Sequence, residues 1–144
     1  MGGADAPQPD LFLCILPEFG GQSGLSGKYA AGAPELIVEV SGSTTSRDLG
    51  VKLQLYQRVG VREYLSVLLN PRKIIWRELQ GERYREIPPD PDGLIRSRVF
   101  PGLWLDPEAV WDPMKPVGKA VDKGIATEEH AAFVRRLAAA RQKA

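Results

Sequence analysis

The sequence predicts an α/β domain, a mixed sheet flanked by helices. Three observations predict it. Two short apolar runs, Leu11–Leu16, which is unbroken, and Leu36–Val40, which holds Glu39, have strand length and no helical period. An amphipathic stretch over about Arg47 to Val59 follows the second run. A series of shorter strand-like segments then fills residues 61–100. Strand, strand, helix and then several strands is the order of a mixed sheet with helices packed on it.

Residues 1–8 are rich in Gly, Ala and Pro and are expected to be disordered. Pro9-Asp10 opens the strand Leu11–Leu16. A Gly/Ser loop is expected from Phe19 to Ala33, and a buried strand from Glu35 to Ser41. Ser43, Thr44, Thr45 and Ser46 can each cap a helix N-terminus, and Gly60 can stop the helix that follows. Val61–Leu69 reads as a strand and Asn70-Pro71 as a turn. Lys73–Leu79 and Arg83–Ile87 form a predicted hairpin, followed by a proline-rich loop and a last strand, Leu94–Phe100. Asp106-Pro107-Glu108 has the composition of a short helix start. The segment 112–126 reads as a linker, and Thr127 caps a C-terminal helix over 127–142.

Bulk composition excludes little. At 144 residues the chain is one domain, with 43% hydrophobic and 26% charged residues. A net charge of +1 advertises no strong field. Residues 1–60 hold six acidic and four basic side chains, whereas residues 61–144 hold twelve and fifteen. Cys14 stands alone, so an internal disulfide is excluded and a cytoplasmic location is compatible. No apolar run approaches the roughly 18 residues of a membrane span. His130 is the only histidine, which argues against a histidine-based metal site or triad. The glycines around Lys28 lack the strand and helix context of a phosphate loop.

Three residues stand out because they break the pattern around them. Glu39 lies inside the run Leu36-Ile37-Val38-Glu39-Val40, where an ionised carboxylate is costly unless a cation accompanies it. Lys52 falls within the helix's apolar arc, between Tyr56 and Val59 on the wheel, with Asp48 one turn before it. Either it snorkels and pairs with Asp48, or it delivers an ammonium group to Glu39. Asp10, at the start of the neighbouring strand, gains weight only from Glu39. Two carboxylates on adjacent strands can hold one hard cation such as Mg²⁺. Glu35 lies about 13 Å from Glu39 at ~3.3 Å per residue. It is expected near solvent at the strand's start.

The segment PELIVEVSGSTTSRDLGVKLQLYQRVGVREYL, residues 34–65, resembles the Uma-two family of restriction-endonuclease-like proteins in the PD-(D/E)XK nuclease superfamily. The resemblance is carried by Glu39, Ser41, Ser43, Thr44, Asp48, Lys52, Tyr56, Gly60, Val61, Glu63 and Tyr64. Pro9-Asp10-Leu11 matches the family's PD strand, and Phe100-Pro101-Gly102-Leu103 its late turn. It implies a restriction-endonuclease-like fold over residues 1–111, N-terminally truncated because the chain begins at the PD strand. It also implies a Mg²⁺-dependent endonuclease, Mn²⁺ serving as a substitute, that cleaves phosphodiester bonds of DNA. Asp10 and Glu39, joined by the Val40 carbonyl, would hold the metal. Ser41 occupies the family superfamily's usual lysine slot, so Lys52 would take the catalytic lysine's role. Glu35 and Leu65 depart from the family's aspartate and tryptophan. The alternatives are an inactive nuclease-fold binding or regulatory module, or a fragment. A homodimer is compatible with either reading, and a membrane partner is not expected.

Overall fold

A computed structural model describes residues 9–22, 25–26, 29–30, 32–42 and 46–143. The expected disordered start, the caps at Ser43, Thr44 and Thr45, and Lys28 lie outside those residues. The centre is a mixed five-stranded sheet in the order β1-β4-β5-β6-β7. Its strands are β1 (Leu11–Leu13), β4 (Leu36–Ser41), β5 (Glu63–Leu69), β6 (Arg72–Gln80) and β7 (Arg83–Glu86). Only the β4–β5 pair is parallel, joined through helix α1 (Ser46–Val59). A parallel connection requires such a crossover. Gly60, at φ +88°, ends the helix in the left-handed region that glycine enters freely. A two-stranded ladder, β2 (Leu25–Ser26) with β3 (Tyr29–Ala30), lies inside the segment expected to be a loop.

Each face of the sheet has its own core. Ile37, Tyr56, Val61 and Tyr64 pack between sheet and α1. On the opposite face, Leu36, Leu65, Val67 and Trp76 pack with Ile87, Ile95 and Phe100. The period of two along β4 sends Ile37 and Glu39 towards α1 and Leu36 and Val38 away from it. Helix α4 (Glu128–Lys143) is capped by Thr127, whose Oγ1 accepts from the His130 N–H. Its Phe133 meets Phe100 edge to face. His130 contributes structure: its Nδ1 lies 2.9 Å from the Pro101 carbonyl oxygen.

Four expectations are corrected, each for a physical reason. The first strand ends at Leu13 instead of Leu16, because the Ile15 N–H is taken by the Glu35 carboxylate at 2.9 Å and not by a strand. Glu35 also accepts from the Gln22 N–H at 2.8 Å and is 1% exposed, so it is buried and not near solvent. The last strand shrinks to β8 (Ile95–Arg96), which pairs with β9 (Trp104–Leu105). There the Arg98 and Val99 N–H groups go to the Glu63 carboxylate, and the Phe100 N–H goes to the Ser97 hydroxyl. Downstream of α2 (Pro107–Trp111), the segment 112–126 carries helix α3 (Gly118–Ile125). Its glycine has a packing purpose. A Cβ on Gly124 would lie 2.0 Å from the Gly102 carbonyl oxygen, so the close approach of helix and turn depends on glycine.

Candidate metal centre at the edge of the sheet

Glu39 sits late on β4, facing α1, with 4% of its surface exposed. Burying an ionised carboxylate requires donors for its oxygens. Both come from one face of α1. The Lys52 ammonium donates to Oε2 at 2.8 Å, and the Tyr56 hydroxyl donates to Oε1. Lys52 and Tyr56 are four residues apart, one helical turn, so a single face presents both. Lys52 is thereby a partner of Glu39. The side chain of Asp48, its other candidate partner, lies outside the described residues.

Asp10 reaches the same place from β1. The antiparallel register sets Leu11 opposite Val38. Asp10 directly precedes Leu11, which brings it to the end of β4 that carries Glu39 and Val40. The Asp10 Oδ2 accepts from the Val40 N–H at 2.7 Å. The Asp10 side chain thus serves the Val40 amide just beyond the end of the ladder, and Pro9 before it has no N–H to donate.

The electrostatics describe one connected group. Hydrogen bonding to Glu39 raises the Lys52 pKa above its ordinary 10.5, burial opposes the rise, and the charges of Glu39 and Asp10 add to it. Burial is the main cause that raises the Tyr56 pKa, with the Glu39 bond next. Tyr64, packed edge to face on Tyr56 at 5.0 Å, is raised by burial too. A folded-state pKa above the unfolded one means the native state keeps its proton longer. The stabilisation from Lys52 and Tyr56 is therefore complete below their ordinary values of 10.5 and 10.0 and is lost as pH climbs beyond them. Urea midpoints are expected to hold from about pH 8 to about pH 10 and fall steeply by about pH 11.5. Tyr56→Phe should flatten that fall. An equally steep loss in the variant would assign it to other groups.

The donor set suits a hard divalent cation. It consists of carboxylate and carbonyl oxygens, with no sulfur or imidazole. Each Glu39 oxygen accepts one bond and keeps a second lone pair, and Asp10 engages only Oδ2 in the hydrogen bond to Val40. Among the described residues no group of three or more His, Cys, Asp or Glu side chains gathers. Two carboxylates match an ion such as Mg²⁺, which binds through one or two and keeps several waters.

Of the sequence candidates, Glu39 and Lys52 are in contact, and Asp10 and the Val40 backbone lie beside them. Tyr56 is the residue that sequence reasoning left without a role. Its signal was its place one turn after Lys52 on the same arc. Two further buried glutamates, Glu35 and Glu63, spend their oxygens on distant backbone and side-chain donors and are framework.

The model of the Uma2 family, described as "Putative restriction endonuclease", matches residues 1–108. Among curated proteins none matches the chain.

Proposed function

The chain belongs to the Uma2 family of restriction-endonuclease-like proteins, and from that premise we propose that it is a metal-dependent endonuclease hydrolysing phosphodiester bonds of DNA. The observation that carries the reading is a buried glutamate paired with a helix lysine, set beside an aspartate on the adjacent strand. Asp10, Glu39 and the Val40 carbonyl would hold the ion, Mg²⁺ with Mn²⁺ as a substitute. The chemistry such an ion supplies is Lewis-acid polarisation of a phosphoryl oxygen and activation of water.

The protein's own groups prepare the site. Tyr56, kept neutral by its raised pKa, fixes one oxygen of Glu39 and so orients the other. Lys52 spends one of its three N–H donors on Glu39 and is 39% exposed, leaving donors for a phosphate oxygen. It is charged through neutral pH, since its ordinary pKa of 10.5 is shifted further upward by Glu39. A fixed ammonium aimed at a phosphoryl group offsets the charge that develops there during hydrolysis.

DNA as substrate goes with a cytoplasmic location, and no described helix is long and apolar enough to cross a membrane. Pairing of two copies through the exposed edge residues Leu11, Phe12 and Leu13 is part of the same proposal. A second reading is favoured by the fact that both Glu39 oxygens already have donors. In that reading Lys52 and Tyr56 substitute for the metal, and the domain binds without cleaving.

Metal-titration calorimetry with Mg²⁺ and Mn²⁺ separates the two. The endonuclease reading expects saturable binding that Asp10→Asn weakens by about ten-fold or more, the range in which loss of a site's supporting groups is felt. Glu39→Gln should do the same, and plasmid nicking should fall with both. Absence of binding for either ion in the wild-type chain would overturn the endonuclease reading in favour of the closed ion pair.

A further inference from the structure

A second charged cluster shares no residue with the Glu39 group, and its lysines lie beyond the residues matched to the family. Lys115, Lys119 and Lys123 line a cavity of about 260 Å³, together with Leu94, Asp106 and Ala120. The lysines recur every four residues, and Lys119 and Lys123 stand one turn apart on the same side of α3. Ala120 and Gly124, on the helix's inner side, are buried and hold that orientation.

The charges in this cavity are unevenly satisfied. Lys115 donates to Glu108 at 2.9 Å. Asp106 is turned to its own helix, where it caps α2 by accepting from the Glu108 N–H at 3.1 Å. Among the described residues neither Lys119 nor Lys123 has a carboxylate within 4.0 Å. Like charges four residues apart on a helix repel. An anion between them removes that repulsion. Its donors are lysines, which bind phosphate oxygens as point charges.

We propose that Lys119 and Lys123, with Lys115 at the rim, form a phosphate site that takes a backbone phosphate of a polynucleotide. The choice of a polynucleotide rests on the endonuclease reading; the phosphate site itself does not. Binding of a short labelled duplex, followed by fluorescence anisotropy in EDTA over a salt series, tests it. Each phosphate contact contributes about 0.9 to the slope of log affinity against log salt. Lys119→Gln/Lys123→Gln should therefore reduce the slope by about 1.8. Lys143→Gln, at the far end of α4, should not change it.

Calorimetry with inorganic phosphate provides the second arm. A lost slope in the double variant supports the proposal. An unchanged slope, with phosphate bound by the wild type and not by the variant, overturns the polynucleotide and leaves a free-phosphate site. An unchanged slope and no phosphate binding overturn the site. The endonuclease reading fails separately. If the wild type nicks no plasmid while the double variant still loses slope, the cleavage assignment falls and the phosphate site stands.

Discussion

Glu63→Ala is expected to cost about 3–5 kcal/mol of folding stability, the range seen when one partner of a buried charged network is removed. Glu63 is 0% exposed and opens β5 beneath the segment 97–99. Its Oε1 accepts from Trp76 Nε1 at 3.0 Å and from the Ser97 hydroxyl at 2.7 Å. Its Oε2 accepts from the Arg98 and Val99 N–H groups at 2.7 and 3.0 Å. Alanine leaves two buried donors, Trp76 Nε1 and the Ser97 hydroxyl, and two part-buried backbone donors without an acceptor, each buried one worth about 1–3 kcal/mol if nothing replaces it. Water entering the space left by the side chain recovers part of that, so the sum of four full penalties is not reached. Since a domain of this size has about 5–15 kcal/mol in total, the loss is a large fraction of the stability of the fold. Glu63→Gln retains one acceptor oxygen and should lose roughly 1–3 kcal/mol. Urea denaturation followed by Trp76 fluorescence measures both. A loss below about 1 kcal/mol for alanine would show that residues 97–99 are held by their apolar neighbours and not by Glu63.

Glu63, Glu35 and Glu39 have the same side chain, yet only one was legible in the sequence. Glu39 interrupts an apolar run in the middle of a strand, so its burial and its need for a cation follow from pattern alone. Lys52 was visible for the same reason, as a charge inside an apolar arc. Glu35 and Glu63 stand at the first turns of their strands, where a glutamate ordinarily meets water. Their partners are the N–H groups of Ile15, Gln22, Arg98 and Val99, between 13 and 36 residues away. Bonds of that range leave no periodic trace. The two strands that came out too long are their direct consequence. The segments Leu11–Leu16 and Leu94–Phe100 both read as strands, but a carboxylate substitutes for the strand partner over part of each. Helix α3 was hidden differently. Its glycines and lysines look like a linker until Gly102 is seen packed against Gly124. Asp10 was legible only through the neighbouring carboxylate.

Lys52→Met is expected to reduce Mg²⁺-dependent plasmid nicking by two or more orders of magnitude, the effect of removing one charge-stabilising donor from a hydrolytic site. Methionine keeps the length and packs within the apolar arc, so the helix itself should be undisturbed. Stability should fall slightly. Glu39 loses its 2.8 Å ammonium partner and keeps the Tyr56 hydroxyl. Because the Lys52 side chain is 39% exposed, water can reach the vacated side of the carboxylate, and the loss should stay near 1 kcal/mol. Tyr56→Phe separates positioning from charge. It removes the donor on the other Glu39 oxygen without altering net charge, so Mg²⁺ affinity and nicking should fall together, by about ten-fold. Lys52→Met should instead affect turnover far more than metal affinity. Equal nicking by wild type and Lys52→Met, with the stability loss present, would make the lysine a structural counter-ion to Glu39. The charge that acts on the phosphate would then have to come from another residue.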